Sequence, residues 1–301
     1  MPEHRTAAVK PKPHNRPHPS IPKEAPPTVA KRVVVLMPDD ASSFASTLPA
    51  LENELAARGF EVMSINGRDV SAALADPNDA AKTYVIAIGG EAAEIGAHRL
   101  HLPTVYWGVA TPNREAGDNL YGVASLPPLE LQLRAWTSVS PRLRRVALIL
   151  GPGRDATIAE AEQAAAQLSV SLVYRVASTD QEALYLFKRL APKVDGLWLL
   201  PDSVLSPRAI KGMLGDAARN KVQSLVFTPS LLSWGALFSV SSTPENVAWT
   251  LAEVAAGMAS DPKSTPPLTP LSELELQVNE KLAEQFGVDV KAATWVVRGG
   301  T

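Results

Sequence analysis

The sequence predicts an α/β protein built as two doubly wound lobes, each a parallel sheet with helices on both faces. Short apolar, β-branched runs alternate with amphipathic stretches of helical length from Lys31 onward. That rhythm pauses near residues 122–128 and restarts at Arg145. With 46% apolar residues, the 301-residue chain has enough material for two packed cores.

The elements follow in order. Residues 1–31 hold eight of the 26 prolines, and read as an extended tether without a core of its own. Val33–Met37 is the first predicted strand. Phe44, Leu48, Leu51 and Leu55 then recur at helical spacing up to a stop at Gly59. Strands are expected at Glu61–Ile65, Tyr84–Ile88, Thr104–Trp107 and Leu120–Ala124, with a helix from Glu91 to about Leu100. After the pause, strands are expected at Arg145–Leu150, Ser171–Val176, Gly196–Leu200, Ser224–Phe227 and Leu237–Val240. Helices are expected at Ala156–Leu168, Asp180–Leu190, Pro207–Asn220 and Pro244–Met258. Asp261–Pro270 reads as a proline-rich connector, and Glu273–Phe286 as an extended start running into a helix that Gly287 ends. Alternating strands and helices of these lengths form right-handed βαβ units, hence parallel sheets.

Composition removes several functional classes. A formal net charge of −2 gives no basic surplus for nucleic acid. The one dense basic group, Arg142, Arg144 and Arg145, precedes a strand and reads as a solvated face. Absence of cysteine excludes disulfides, thiolate metal sites and a cysteine nucleophile. No apolar run approaches the roughly 20 residues that span a bilayer, and the start lacks a signal-peptide pattern.

The common catalytic motifs are missing too. There is no Walker loop and no G-x-S-x-G elbow. His98 and His101 stand three apart on the expected helix, without the spacing or the glutamate of a zinc protease site. Gly151–Ala156 is a G-x-G-x-x-A between a strand and a helix, the context of a dinucleotide loop. Against it, Pro152 removes a backbone donor, and no acidic residue ends the strand that follows. A Rossmann-type enzyme using this loop stays open as the minor alternative. The leading expectation is a protein that is not an enzyme and needs neither cofactor nor metal.

What remains is a set of small, polar and aromatic residues at strand ends. They are Ser42 and Ser43, then Gly89, Gly90 and Glu91, Trp107 and Thr111, Asp202 and Ser203, and Trp234. In open α/β sheets the carboxyl ends of the strands share one edge, where ligands bind. Hydroxyl and N–H donors there suit an anion, Asp202 or Glu91 a cation, and the indoles an apolar wall. Each also has a plain reading as a helix cap, a turn former or core packing.

Several segments carry a family resemblance: Val85–Ala93, Leu102–Pro112, Asn119–Val123, Pro141–Leu150, Lys193–Ser203, Gly235–Leu237 and Val278–Val288. In order and spacing they resemble the substrate-binding components of ABC transporters of the tryptophan/tyrosine type, over about residues 32–290. The resemblance implies a type I periplasmic-binding fold with a multi-strand hinge, three crossings between lobes and closure around a small solute. It implies one lobe of residues 32–123 with about 243–268, and another of residues 124–242 with about 269–301. It places the loops at Ser42–Ser43, Gly89–Glu91, Thr111 and Asp202–Ser203 in the cleft, with an amino-acid-like or small organic acid ligand and a membrane ABC permease as partners. It implies a periplasmic or membrane-anchored extracytoplasmic protein, often a lipoprotein, with residues 1–31 as the tether. Thr111 stands where the family usually has an aspartate, and residues 239–246 depart from its usual segment. These departures leave open a second reading, an envelope lipoprotein that regulates another protein through its surface.

Overall fold

The structure is a computed structural model that describes residues 31–38, 44–66, 83–109, 119–288 and 294–298. The proposed tether up to residue 30, and Ser42, Ser43 and Thr111, lie outside the described residues.

The first sheet begins with β1 (Lys31–Met37), α1 (Leu48–Ala57), β2 (Phe60–Asn66) and β3 (Thr83–Ile88). Then come α2 (Gly90–Glu94), continued by a π turn over Ile95–Arg99, β4 (Thr104–Trp107) and β5 (Leu120–Val123). The second sheet follows with α3 (Leu129–Val139), β6 (Arg145–Leu150), α4 (Asp155–Gln167), β7 (Ser171–Val176), α5 (Asp180–Leu190) and β8 (Gly196–Trp198). It continues with α6 (Pro207–Arg219), β9 (Gln223–Val226) and β10 (Phe238–Ser241). The chain then adds α7 (Pro244–Ser260), β11 (Leu268–Thr269), β12 (Glu273–Val278), α8 (Glu280–Phe286) and β13 (Thr294–Arg298).

The first sheet has the order β11-β5-β4-β3-β1-β2, with every pair parallel. The second has the order β13-β12-β10-β9-β8-β6-β7, parallel from β10 to β7 and antiparallel at β12 and β13.

Both sheets are covered on both faces, which explains their unbroken apolar central strands. In β1, Val33 and Val35 pack with α1 and α7, while Val34 and Leu36 point the other way onto α2. In β6, Val146, Leu148 and Leu150 face α3 and α4, while Ala147 and Ile149 face α5 and α6. Helix starts are fixed by capping side chains. Thr179 accepts the Glu182 N–H, Ser206 the Ala209 N–H, Thr243 the Asn246 N–H and Asn279 the Leu282 N–H. Proline opens α6 and α7, where its missing N–H costs nothing.

Helix α7 follows a strand of the second sheet yet packs its Val247, Leu251, Val254 and Met258 into the core of the first lobe. β11 then joins the first sheet and β12 the second. The chain therefore crosses between lobes three times, after β5, after β10 and after β11. Asn246 ties the second and third crossings together. Its Nδ2 donates to Ser272 Oγ at 2.9 Å, and its Oδ1 accepts the Glu273 N–H at 3.2 Å.

The structure revises several boundaries. The helix expected from Glu91 to Leu100 gives way to a π turn at Ile95, and His101 lies beyond it in a left-handed conformation (φ 54°). β8 stops at Trp198; Leu199 to Asp202 form neither strand nor helix, although the Leu199 N–H still donates to the Leu225 carbonyl at 2.9 Å. The connector read at Asp261–Pro270 contains the two-residue strand β11.

Candidate functional site

Each lobe has one point where strand order reverses, between β1 and β3 in the first and between β6 and β8 in the second. Loops leaving on opposite faces open a crevice there. In the second lobe this crevice is filled from within. Asp202, after β8, accepts the Gly151 N–H through Oδ2 and the Val204 N–H through Oδ1, both at 2.9 Å. Its side chain is 3% exposed, and Arg154 Nε lies 3.9 Å from Oδ2. The carboxylate thus locks the loops after β6 and β8 together. The Gly151 N–H that a pyrophosphate would need is committed to it.

Beside this clasp, a cavity of about 510 Å³ opens between the lobes. The first lobe contributes Tyr106 in β4, Gly108 and Val109 after it, and Leu268 and Pro270 around β11. The second contributes Leu200 and Pro201 after β8, with Arg154, Thr157 and Glu160 from the start of α4. The first crossing, Val123 to Leu129, forms a further wall. The volume falls within the roughly 300–1,000 Å³ of small-molecule sites, and the walls are mostly apolar with few polar groups, as in such sites.

Backbone chemistry shapes these walls. Gly122 lies against Tyr106: a Cβ there would fall 2.5 Å from the ring, so only glycine lets the tyrosine lie over β5. Ser125 Oγ donates to the Val109 carbonyl at 3.1 Å, joining the first crossing to the loop after β4. Glu160 Oε1 accepts the Leu129 N–H at 3.0 Å, satisfying a free donor at the start of α3. Arg154 Nη2 donates to the Pro201 carbonyl at 3.2 Å. Its Nε is buried without a hydrogen-bond partner among the described residues.

The residues expected at the site divide into groups. Gly89, Gly90 and Glu91 meet Trp107 at one edge of the first sheet, where the Gly89 N–H donates to the Trp107 carbonyl at 2.8 Å. Gly89 has φ +85°, a conformation glycine adopts without strain. Gly90 and Glu91 are exposed, and Trp107 is half-buried with its ring 5.6 Å from that of Phe44. Trp107 Nε1 is buried and has no hydrogen-bond partner among the described residues. Asp202 and Ser203 occupy the loop after β8, with Ser203 exposed. Trp234 packs beside α6 with Lys211 Nζ 4.5 Å above its ring. None of these side chains lines the cavity itself, although Trp107 sits between two residues that do, and Asp202 follows Pro201, which does.

Sequence reasoning passed over Arg154, Glu160 and the first crossing. Arg154 was visible only as one position of the glycine loop, and Glu160 as one of many helix-surface acids. The usable signal was the dipeptide Pro127–Pro128 in the pause between the two series, which fixes an extended bridge where the lobes must meet.

A family model described as ABC transporter substrate binding protein matches residues 42–297. The chain belongs to that family. No curated protein matches it. Among solved structures, this substrate-binding protein is similar to a substrate-binding protein with adhesive properties from Clostridium difficile, in a ligand-free, open structure. That match has 16% identity and a TM-score of 0.66, covering 87% of this chain and 96% of the other. The ABC domain in complex with L-Trp from Streptococcus pneumonia matches with 14% identity and a TM-score of 0.54, over 86% of this chain and 95% of the other. A periplasmic ribose ABC transporter protein from Conexibacter woesei matches with 14% identity and a TM-score of 0.51, over 86% and 95%. At these identities the likeness establishes the fold, that of the type I periplasmic binding proteins. Among the described residues no helix is long and apolar enough to cross a membrane.

Proposed function

We propose that this protein is the extracytoplasmic solute receptor of an ABC transporter, holding an amino-acid-like molecule or small organic acid between its lobes and presenting it to a membrane permease. The observation that carries this reading is the cavity of about 510 Å³ whose walls come from both lobes and from the crossings that join them. A ligand touching both walls binds the closed arrangement better than the open one, so its binding energy shifts the equilibrium toward closure. A permease is then able to tell loaded receptor from empty by shape alone. Residues 1–31 serve as the tether of a lipid-anchored form.

The test uses the tryptophans already present. Trp107 lies one residue from two cavity residues, so closure changes the surroundings of its indole. Titration with a panel of amino acids, small carboxylic acids and sugars is expected to give a saturable change in intrinsic fluorescence with at least one of them, together with a rise in melting temperature. A flat response across the panel contradicts the receptor role.

A further inference from the structure

We infer that the protein pairs with a second copy of itself along β7, the edge strand of the second sheet, in an antiparallel arrangement about a twofold axis at Tyr174. Among the described residues, three of the five exposed large apolar side chains lie on this one edge. They are Tyr174 at 38%, Val176 at 44% and, on the neighbouring α5, Tyr185 at 58%. Edge strands that stay single are guarded by proline, lysine, a bulge or short length. β7 has no proline or lysine, and it follows β6 in unbroken parallel register from Ser171 to Val176. Its inner side is spent: the N–H groups of Ser171 and Ala177 donate to the Arg144 and Leu150 carbonyls at 2.7 and 2.9 Å. Backbone groups alternate along a strand, so Leu172, Tyr174 and Val176 turn their N–H and C=O outward. The Tyr174 carbonyl accepts from the exposed Arg175 guanidinium at 2.7 Å, a local contact that a paired strand replaces.

The edge is its own complement, which selects a second copy as the occupant. With Tyr174 facing its counterpart, Leu172 falls opposite Val176 and Val173 opposite Arg175. One face of the pair is then an unbroken apolar row, and the outward backbone groups meet one another. Helix α5 adds matching charge. It packs over β6 while α6 packs over β9, so the flank of α5 away from α6 borders β7. Leu184 packs against Gly212 of α6, and helical spacing puts Glu182, Leu186 and Arg189 on the opposite flank. A twofold axis sets the two α5 helices antiparallel, so Glu182 of each copy lies beside Arg189 of the other. A strand of this length falls short of the roughly 1,200–2,000 Å² of a stable interface, so the α5 flank is a necessary part of it. All these residues belong to the second lobe, which leaves the first lobe free to close.

The experiment is sedimentation equilibrium of the full chain over a wide range of concentration. The average mass is expected to rise from that of one chain toward that of two. Tyr174→Lys sets like charges directly opposite each other on the axis, and is expected to weaken pairing by about tenfold or more. Tyr174 is exposed, so the melting temperature of the dilute variant is expected to stay near that of the parent. Arg189→Glu and Glu182→Arg each place like charges in both helix contacts and are expected to weaken self-pairing. An equal mixture of these two variants is expected to restore it, because every contact again joins opposite signs. Glu182 also accepts the Ser178 N–H at 2.8 Å, a local role that mixing does not repair, so recovery on mixing reports the interface alone. In a chain without cysteine, Tyr174→Cys gives an independent reading. Facing residues of such a pair have Cα atoms about 5.5 Å apart, within reach of a disulfide, so mild oxidation is expected to yield a covalent dimer. The mass of one chain at every concentration overturns the inference. So does a dimer that Tyr174→Lys leaves intact, a mixture of the charge variants that stays apart, or a cysteine variant that does not cross-link.

Discussion

Asp202→Ala is expected to destabilise the protein by about 2–5 kcal/mol, because two part-buried backbone N–H groups, of Gly151 and Val204, lose their acceptor at once. The side chain is 3% exposed, and it hydrogen-bonds Gly151 after β6 and Val204 after β8. Arg154 also loses its only ion-pair partner among the described residues. Asp202→Asn keeps one acceptor oxygen but turns an NH2 group toward the other N–H, so an intermediate loss is expected. Urea unfolding followed by far-ultraviolet circular dichroism reads both. A loss below about 1 kcal/mol for the alanine variant contradicts the clasp, as it would match a single surface hydrogen bond.

Trp136→Ala is expected to cost about 3–5 kcal/mol, the usual range for emptying a large aromatic site in a core. Trp136 is fully buried on α3, and its indole fills the space that a side chain at position 196 would take. A Cβ on Gly196 would fall 2.6 Å from the ring. The ring also donates from Nε1 to Gln223 Oε1 at 3.0 Å, so the substitution leaves an amide oxygen without its donor. The same helix carries Gln132, wholly buried, which accepts from Trp198 Nε1 at 3.2 Å and donates to the Pro127 carbonyl at 2.8 Å. Helix α3 thus holds β8 and the first crossing in one hydrogen-bonded unit, and loosening it frees a wall of the cavity. Thermal unfolding by circular dichroism is expected to show a fall on the order of 10 °C. A shift of a degree or two contradicts the account of α3 as a structural anchor.

The fold was legible where burial leaves a local pattern. β1 and β6 read as buried strands because every residue from Val33 to Leu36 and from Val146 to Leu150 is apolar and enclosed. α6 and α7 were marked by Ser206 with Pro207 and by Thr243 with Pro244, where chemistry and position agree. Helix α3 was not legible. It starts after Pro128 without a capping side chain, and its free N–H at Leu129 is met by Glu160 from a different helix. β11 has two residues and exists only because β5 offers an edge to it. β12 was read only as an extended lead into a helix, since its antiparallel partner β10 lies more than thirty residues earlier. At two positions the sequence reading came within one residue of the cavity lining, and at the other described candidates it did not. The loops ending β4 and β8 were singled out at Trp107 and Asp202, whereas Tyr106, Gly108, Leu200 and Pro201 are the residues lining the space. Which residue of a loop faces the opposite lobe depends on how the lobes meet, and no local pattern encodes that. Asp202 stood out as a free carboxylate in sequence, yet its oxygens serve the backbone of its own lobe.

The absence of cysteine makes the receptor account directly measurable, because a pair of introduced cysteines takes spin labels without side reactions. Asn53→Cys on α1 and Lys188→Cys on α5 place one label on an exposed position of each lobe. Electron–electron resonance distances are then compared with and without the best ligand of the titration panel. Closure around a bound solute predicts a shift of the distance distribution by more than about 2 Å toward shorter values. A distribution that stays in place while the ligand is bound contradicts an inter-lobe receptor that shuts on its solute.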